Sequence, residues 1–483
     1  MTKTIKSITN PKLKLEILTP QEILKIHDAT LWIIEKVGVR FPSKKALEIW
    51  AAHGAVVDKE KMVVRAKAEL IEKGLKTCPP VYSLAARDPQ QDLLLDGNHV
   101  FVGTDGCGVE VIDIHSGERR VSCLQDVRDI SKIADATEEV AFHWVPVSAQ
   151  DMPAETRGLH EIKAIWENST KHVQTESIYN EREARAAVEM AALIAGGKDK
   201  LRQRPVLSLM QCSAPPLGHD GGSIDAALVA AEFGLPTGFM TMAANLTTGP
   251  ATLAGNLAVG NAEVIAGTAL IQLAFPGAPV FYAAAQTASD LRTGAYTGGG
   301  PEDFLYGAAT NVLSDFYKIP LSMGSFATGA KEPNWQAGIE NSLSTFMACI
   351  VMSDMLLGVG FLHGSRIWSF AEMMMDCEIF SIIHKTMQGI IVNDETLALD
   401  TIAAVGPGGN FLTQKHTLKH MRELFLPQFM DRRPFNEWEA KKDDARDWAL
   451  AKARKTLDNH HPDPLDEKIQ TELATIINLL EKK

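Results

Sequence analysis

The sequence predicts an α/β fold, a TIM (β/α)8 barrel, on two observations. Seven apolar, strand-like runs recur between residues 136 and 405, with helix-patterned stretches and short connections between them. That alternation is how parallel sheets are built. No GxGxxG follows a strand and no GxxxxGK[ST] occurs, so the open nucleotide-binding sheets lack their fingerprints. Seven regular units suit a closed barrel better. An N-terminal α+β segment (1–135) and a C-terminal helical extension (406–483) flank it.

The N-terminal segment opens on a well-marked helix. Thr19-Pro20-Gln21-Glu22 offers an N-cap, a proline at the first helical position and an acid at the third. Ile23, Ile26, Ile33 and Val37 then share one face, Thr30 fills the gap, and Gly38 ends the helix. Ser43 to Gly54 repeats this start and stop, and VYSLAAR and HVFVGTDGCGVEVID read as short β pieces. The barrel strands are expected in VAFHWVPVS (140–148), HVQTES (172–177), PVLSLMQC (205–212), PTGFMTMAA (236–244), APVFYAAA (278–285), IPLSMGSF (319–326) and MLLGVGFL (355–362). GIIV (389–392) is the candidate for the eighth. Asn180 to Glu183 resembles a capping box, and Pro250 and Pro301 sit in first helical turns. In the tail, WEAKKDDARDWALAKARKTL reads as one surface-docked helix.

Composition narrows the function. The net charge of −12 over 483 residues, with no basic stripe, disfavours nucleic acid and anionic membrane surfaces as partners. The N-terminus lacks the apolar core of a secretory signal, so a cytoplasmic location is expected. The stretch from Leu253 to Phe275 is interrupted by Asn256, Asn261, Glu263 and Gln272 and reads as a buried helix, not a membrane span. None of the six cysteines forms a CxxC pair, there is no HExxH, and no metal site is expected. GxSxG is also absent, which removes the hydrolase elbow.

In such barrels the strand C-terminal ends and the loops after them carry the chemistry. That rule selects Trp144, Gln174 and Glu176, Gln211, Asn245, Gln286 with Asp290, Arg292 and Tyr296, Phe326, and finally Phe361, His363 and Arg366. The set is rich in amides and aromatics and poor in metal ligands. Asp290 and Arg292 read equally as a surface pair that orders its own loop.

Several blocks resemble the trimethylamine methyltransferase (MttB-like) superfamily, in order and over nearly the whole chain. They are PPLGH (215–219), GPATLAGNLAVGNAEVIAG (249–267), QLAFPGAPV (272–280), DLRTG (290–294), KEPNWQAGIENSLS (331–344) and VGPGGNFLTQKHT (405–417). The founding members contain pyrrolysine. This sequence has standard residues only, so it resembles the non-pyrrolysine branch, whose members demethylate quaternary amines such as glycine betaine, proline betaine, carnitine and γ-butyrobetaine. The resemblance implies a TIM barrel and, as methyl acceptor, the Co(I) corrinoid of a separate protein that docks over the mouth.

A quaternary ammonium leaves as a neutral tertiary amine, so its demethylation is expected to run on positioning, without a general base. Such a site wants aromatic faces around the cation and donors for a carboxylate. Trp144, Tyr282, Phe326 and Phe361 are the cage candidates. Arg292, Arg366, Gln174, Gln211 and His363 are the carboxylate candidates. Glu176 is a candidate anionic wall, and with His363 a positioning residue. Asn245, Gln286, Asp290 and Tyr296 are expected to face the corrinoid. Other readings are a betaine-binding sensor or scaffold without catalysis, and a metal-dependent barrel hydrolase or decarboxylase. A homo-oligomer is a further expectation.

Overall fold

The computed structural model describes residues 7–9, 17–106, 108–295 and 297–482. Eight parallel strands close into a barrel: β1 (His99–Thr104), β2 (Val140–Trp144), β3 (His172–Thr175), β4 (Leu207–Cys212), β5 (Thr237–Thr241), β6 (Val280–Ala284), β7 (Leu321–Gly324) and β8 (Met355–Val359). Each pairs with the next, and β8 closes on β1 through Met355 beside Phe101. Each strand is followed by a helix: α1 (Leu124–Ala136), α2 (Arg157–Asn168), α3 (Glu181–Ala195), α4 (Gly221–Glu232), α5 (Leu253–Ala274), α6 (Pro301–Tyr317), α7 (Trp335–Ile350) and α8 (Phe370–Met387).

Seven of these strands lie in the apolar runs that predict them. The eighth does not. GIIV forms no strand, and Ile390 is 81% exposed. The missing strand is β1, inside the stretch assigned to the N-terminal segment. It carries the buried apolar side chains Val100, Phe101 and Val102 that a barrel strand needs.

Alternation divides each strand between two environments. One set points outward and is buried beneath the helices, among them Val100, Val173, Leu207, Phe239, Leu321 and Leu356. Burying each such side chain stabilises the fold by about 1.5–3 kcal/mol. The inward set includes Phe101, Phe142, Phe281 and Met355, which pack with Leu84, Leu93 and Leu95. Those leucines come from a hairpin, Tyr82–Leu84 with Leu93–Leu95, and plug the end of the barrel opposite the active face. Room for the rings comes from glycine: a Cβ on Gly238 would lie 2.0 Å from Phe281 Cε2.

The flanking elements follow their sequence signals. Thr19 and Glu22 form the expected capping box on Pro20–Trp32, and the helix runs on through a π-helical turn to Gly38. A four-stranded sheet beside the mouth joins Glu110–Ile112 and Arg119–Val121, after β1, to Phe361–Leu362 and Ile367–Ser369, after β8. The tail helix is broken in two. Phe435–Lys441 ends at Lys442, whose backbone is left-handed (φ 54°), and Ala445–Asn459 restarts on an Asp444–Asp447 capping box. A second cap two residues after the first stop outweighs the continuous charge pattern.

α5 is long and apolar enough to cross a membrane, yet it is buried inside the protein. Its long amide side chains are bonded to their surroundings, whereas the buried Thr268 hydroxyl meets no partner. Asn261 Nδ2 donates to Thr30 Oγ1 (2.7 Å) and Tyr317 Oη (2.9 Å), and Gln272 Nε2 donates to the Ala278 carbonyl (2.7 Å). The five described cysteines are free thiols.

Substituting Gly238→Ala drives a methyl into Phe281 and is expected to cost about 1–3 kcal/mol. Gly338→Ala, on α7 with open space around it, is expected to be neutral or to stabilise by up to about 1 kcal/mol. Thermal midpoints of the two variants check the contrast.

Candidate active site

A cavity of about 400 Å3 opens at the C-terminal ends of the strands. Trp144, the last residue of β2, forms one wall. Its backbone is pinned by Thr104, whose hydroxyl donates to the Trp144 carbonyl (2.6 Å) and accepts from its N–H (3.0 Å). Its ring lies so close to Gly106 that a Cβ there would sit 2.5 Å away. Only glycine admits the indole in this position. The indole Nε1 is buried and meets no acceptor.

Asp105, one residue past the end of β1, lines the same cavity. It accepts a short hydrogen bond from Ser365 Oγ. Burial pushes its carboxyl up to about 6, against the pull of the Ser365 and Gly106 donors. Ser365 is held in the turn between the strands Phe361–Leu362 and Ile367–Ser369, where both His363 and Ser365 take left-handed backbone (φ 56° and 59°). Such conformations persist where the surroundings over-determine them. Here the Ala330 carbonyl accepts from His363 N–H (2.7 Å) and the Thr328 carbonyl from Gly364 N–H (2.9 Å).

Glu176, just beyond β3, is buried. Cys212, at the end of β4, lines the cavity, and burial pushes its thiol up to about 12, with the Glu176 and Asp105 carboxylates adding to the effect. The thiol is therefore protonated at neutral pH. Met240 and Met242 add polarizable apolar surface. Arg366 lines the cavity at its rim, with Nε 3.4 Å from Glu110 Oε2.

Of the residues selected from the sequence, Trp144 and Arg366 line this cavity, and Glu176 lies near its Cys212 wall. Gln174 is paired beside Trp144 in the sheet and fully buried. His363 is exposed near the rim, its imidazole pushed down by burial first and then by the Lys331 and Arg366 charges.

The others lie elsewhere. Tyr282 is on the outward face of β6, where its hydroxyl donates to Asn261 Oδ1 (3.1 Å). Gln211 pairs with the outward Phe239, and its Nε2 reaches the Ile178 carbonyl (3.4 Å). Phe326 is buried in the outer core, and Phe361 packs edge-on against Trp368 (5.2 Å). Asn245 donates to the Pro250 carbonyl (2.7 Å), and Gln286 Nε2 to the Asn256 carbonyl (2.7 Å). Both amides are buried and bonded to the backbone of neighbouring loops. Arg292 is 86% exposed and pairs with Asp290 (2.7 Å), which it and the backbone N–H groups hold well below the usual carboxylate range. Tyr296 lies outside the described residues.

Sequence reasoning missed Asp105, Met240, Met242 and Ser365. An acid directly after the apolar run HVFVGT was the available signal for Asp105. By composition that run reads as one of the short β pieces of the N-terminal segment, which hides the acid's place at a barrel-strand exit. Among the described residues, no three His, Cys, Asp or Glu side chains come together as a metal-ligand set.

Similarity to known proteins agrees with this architecture. The family description "Trimethylamine methyltransferase (MTTB)" matches residues 1–482. A trimethylamine methyltransferase MttB of Desulfitobacterium hafniense is 33% identical over 460 residues, covering 95% of this chain and 92% of the relative. A glycine betaine methyltransferase of the same species is also 33% identical, over 467 residues, covering 96% and 97%. The MttB of Methanosarcina barkeri is 30% identical, covering 97% of this chain and 96% of the relative. Among solved structures, the hydroxylamine complex of MtmB superposes with a TM-score of 0.50 at 12% identity, covering 91% of this chain and 92% of that one. At that identity the likeness speaks for the barrel fold alone. With the family description spanning the chain and relatives at 30% identity or above along almost their whole lengths, this protein belongs to the trimethylamine methyltransferase (MTTB) family of methyltransferases.

Proposed function

We propose that this chain takes a methyl group from a quaternary amine and passes it to the corrinoid of a separate protein. Glycine betaine is the first-choice substrate, and proline betaine, carnitine and γ-butyrobetaine belong to the same class. The observation that carries the reading is one juxtaposition: an indole wall and a buried carboxyl, Asp105, line one small apolar cavity, with Glu176 close behind. A permanent cation without N–H donors is recognised by aromatic faces and by nearby anions. Relatives named for trimethylamine and for glycine betaine are equally similar, at 33%. The preference therefore rests on the leaving group. A quaternary ammonium departs as a neutral amine, whereas free trimethylamine must first be activated.

In this reading the chain's own work is to bind, orient and dry the substrate. The Trp144 face and the Asp105 and Glu176 carboxylates hold the trimethylammonium. Arg366 at the rim and the unpartnered Trp144 N–H are the donors for a substrate carboxylate. The walls of Met240 and Met242 exclude water, which strengthens both contacts. One N–methyl bond then points out of the mouth. A corrinoid presented there by a carrier protein would supply the nucleophile that accepts the methyl group. The mouth fits a docked ring system, because Met242 and Leu291, after β5 and β6, stand exposed at this end. No proton has to move in the transfer step itself.

Incubation with betaines and a reduced corrinoid protein tests the reading, through loss of the Co(I) absorbance. No change with any quaternary amine would sink it. Saturable betaine binding without that loss would establish the sensor reading, and a stoichiometric metal in the purified protein the hydrolase reading. Replacing Trp144 with alanine is expected to weaken betaine binding about 3- to 30-fold, the worth of a cation–π contact, as read by calorimetry. Affinity should also fall as the pH drops through 6. Asp105 titrates at about 6, a cation favours its carboxylate form, and protons are released on binding near that pH. Heats measured in two buffers of different ionisation enthalpy reveal the release, and Asp105→Asn should abolish it. Arg292→Ala is expected to leave betaine affinity unchanged and to slow transfer to the corrinoid protein, which steady-state rates against carrier concentration report.

A further inference from the structure

Residues 389–441 leave the barrel after α8 and return to it at Ala445–Asn459. None of their helices, Asp394–Leu397, Leu399–Val405, Lys415–His420 and Phe435–Lys441, contains a buried residue. The stretch is nevertheless rooted on the barrel. Glu378 on α8 accepts from the backbone N–H groups of Gln428 (2.7 Å), Phe429 (2.8 Å) and Met430 (3.1 Å). Lys419 pairs with Glu395, and the His416 and His420 rings pack at 4.3 Å.

This arm is heavily apolar outside. Of the 33 large hydrophobic side chains exposed among the described residues, 15 lie within it, Ile390, Leu412, Leu418, Leu424 and Leu426 each at 72% or more. Taking roughly 70 Å2 for each, less than half of the 150–250 Å2 that an aromatic side chain buries, the arm offers on the order of 1,000 Å2 of apolar surface. A stable interface needs about 800 Å2 per partner, and monomers leave open contiguous patches of about 300–600 Å2.

Three observations choose the occupant. A surface of this size and apolarity suits an interface that is permanently covered, whereas a methyl-accepting carrier must come and go at the mouth. The arm holds seven acidic and six basic residues in a chain whose net charge is −12. It is the place where two like-charged copies meet with little repulsion. The receiving surface is also present: Trp335, Ile339 and Leu343 form an exposed stripe at i, i+4 and i+8 along α7, at 78%, 43% and 47% exposure. We infer that residues 389–441 are an exchange arm that lies over the α7 stripe of a second copy of this chain. A two-fold arrangement satisfies both arms and both stripes at once.

Sedimentation velocity of the full chain at micromolar concentration tests this. The expected result is a dimer or an even multiple of it. The variants L412E/L418E/L424E and, separately, W335E/I339E are each expected to halve the dimer mass while keeping the far-ultraviolet circular dichroism of the parent. A parent chain that sediments as a monomer overturns the inference, as does an arm variant that stays associated. A dimer that survives W335E/I339E overturns α7 as the seat of the arm. Hydrogen-exchange protection of the arm that appears only on adding a corrinoid carrier assigns the surface to that partner instead.

Discussion

The active face depends on one buried helix, α5, and on the polar side chains it carries through an otherwise apolar core. Glu263 accepts from Ser213 Oγ (2.6 Å), Thr241 Oγ1 (2.8 Å) and the Leu217 N–H (2.8 Å). Asn256 Nδ2 donates to the Ala243 carbonyl (3.0 Å), and the Asn256 carbonyl in turn accepts from Gln286. These groups sit at the exits of β4, β5 and β6, which place Cys212, Met240 and Ala285 around the cavity. A buried carboxylate or amide is costly unless it is bonded. The helix is therefore locked to those loops, and the loops to one another. The polar interruptions that mark α5 as something other than a membrane span are also what hold the site's geometry.

The opposite wall is built by close approach. Gly106 lets the Trp144 ring lie flat against the β1 exit, and Asp105 beside it is drawn in by Ser365. An aromatic face and a carboxyl meet there because a backbone without a side chain separates them. Preorganisation of this kind lowers the cost of ordering a site when substrate arrives, which suits chemistry done by placement.

Much of this was legible in the sequence, and the failures have physical reasons. Parallel strands buried on both faces read as continuous apolar runs, so seven of them could be found. For the same reason the runs do not reveal which alternate set points inward. Tyr282 and Gln211 look like site residues by type and fall on the outer face by parity. Phe361 lies two residues past the end of β8, already in the neighbouring sheet. β1 reads as one more short β piece, and that hides Asp105 with it. GIIV has strand composition, yet it lies where the chain leaves the barrel, and composition does not report what covers a segment. The caps at Thr19, Ser43 and Asn180 were readable because capping is a local bond between near neighbours.

The small sheet beside the mouth joins the two ends of the barrel a second time. Ile367–Ser369, after β8, runs parallel to Glu110–Ile112, after β1. Once β8 has paired with β1, this second pairing occurs at the high effective concentration of tethered partners, and each contact strengthens the other. Ser365 reaches Asp105 across that same seam, joining residues far apart in the chain. The carboxyl wall of the cavity therefore draws on both ends of the ring of strands, and it depends on the ring being closed.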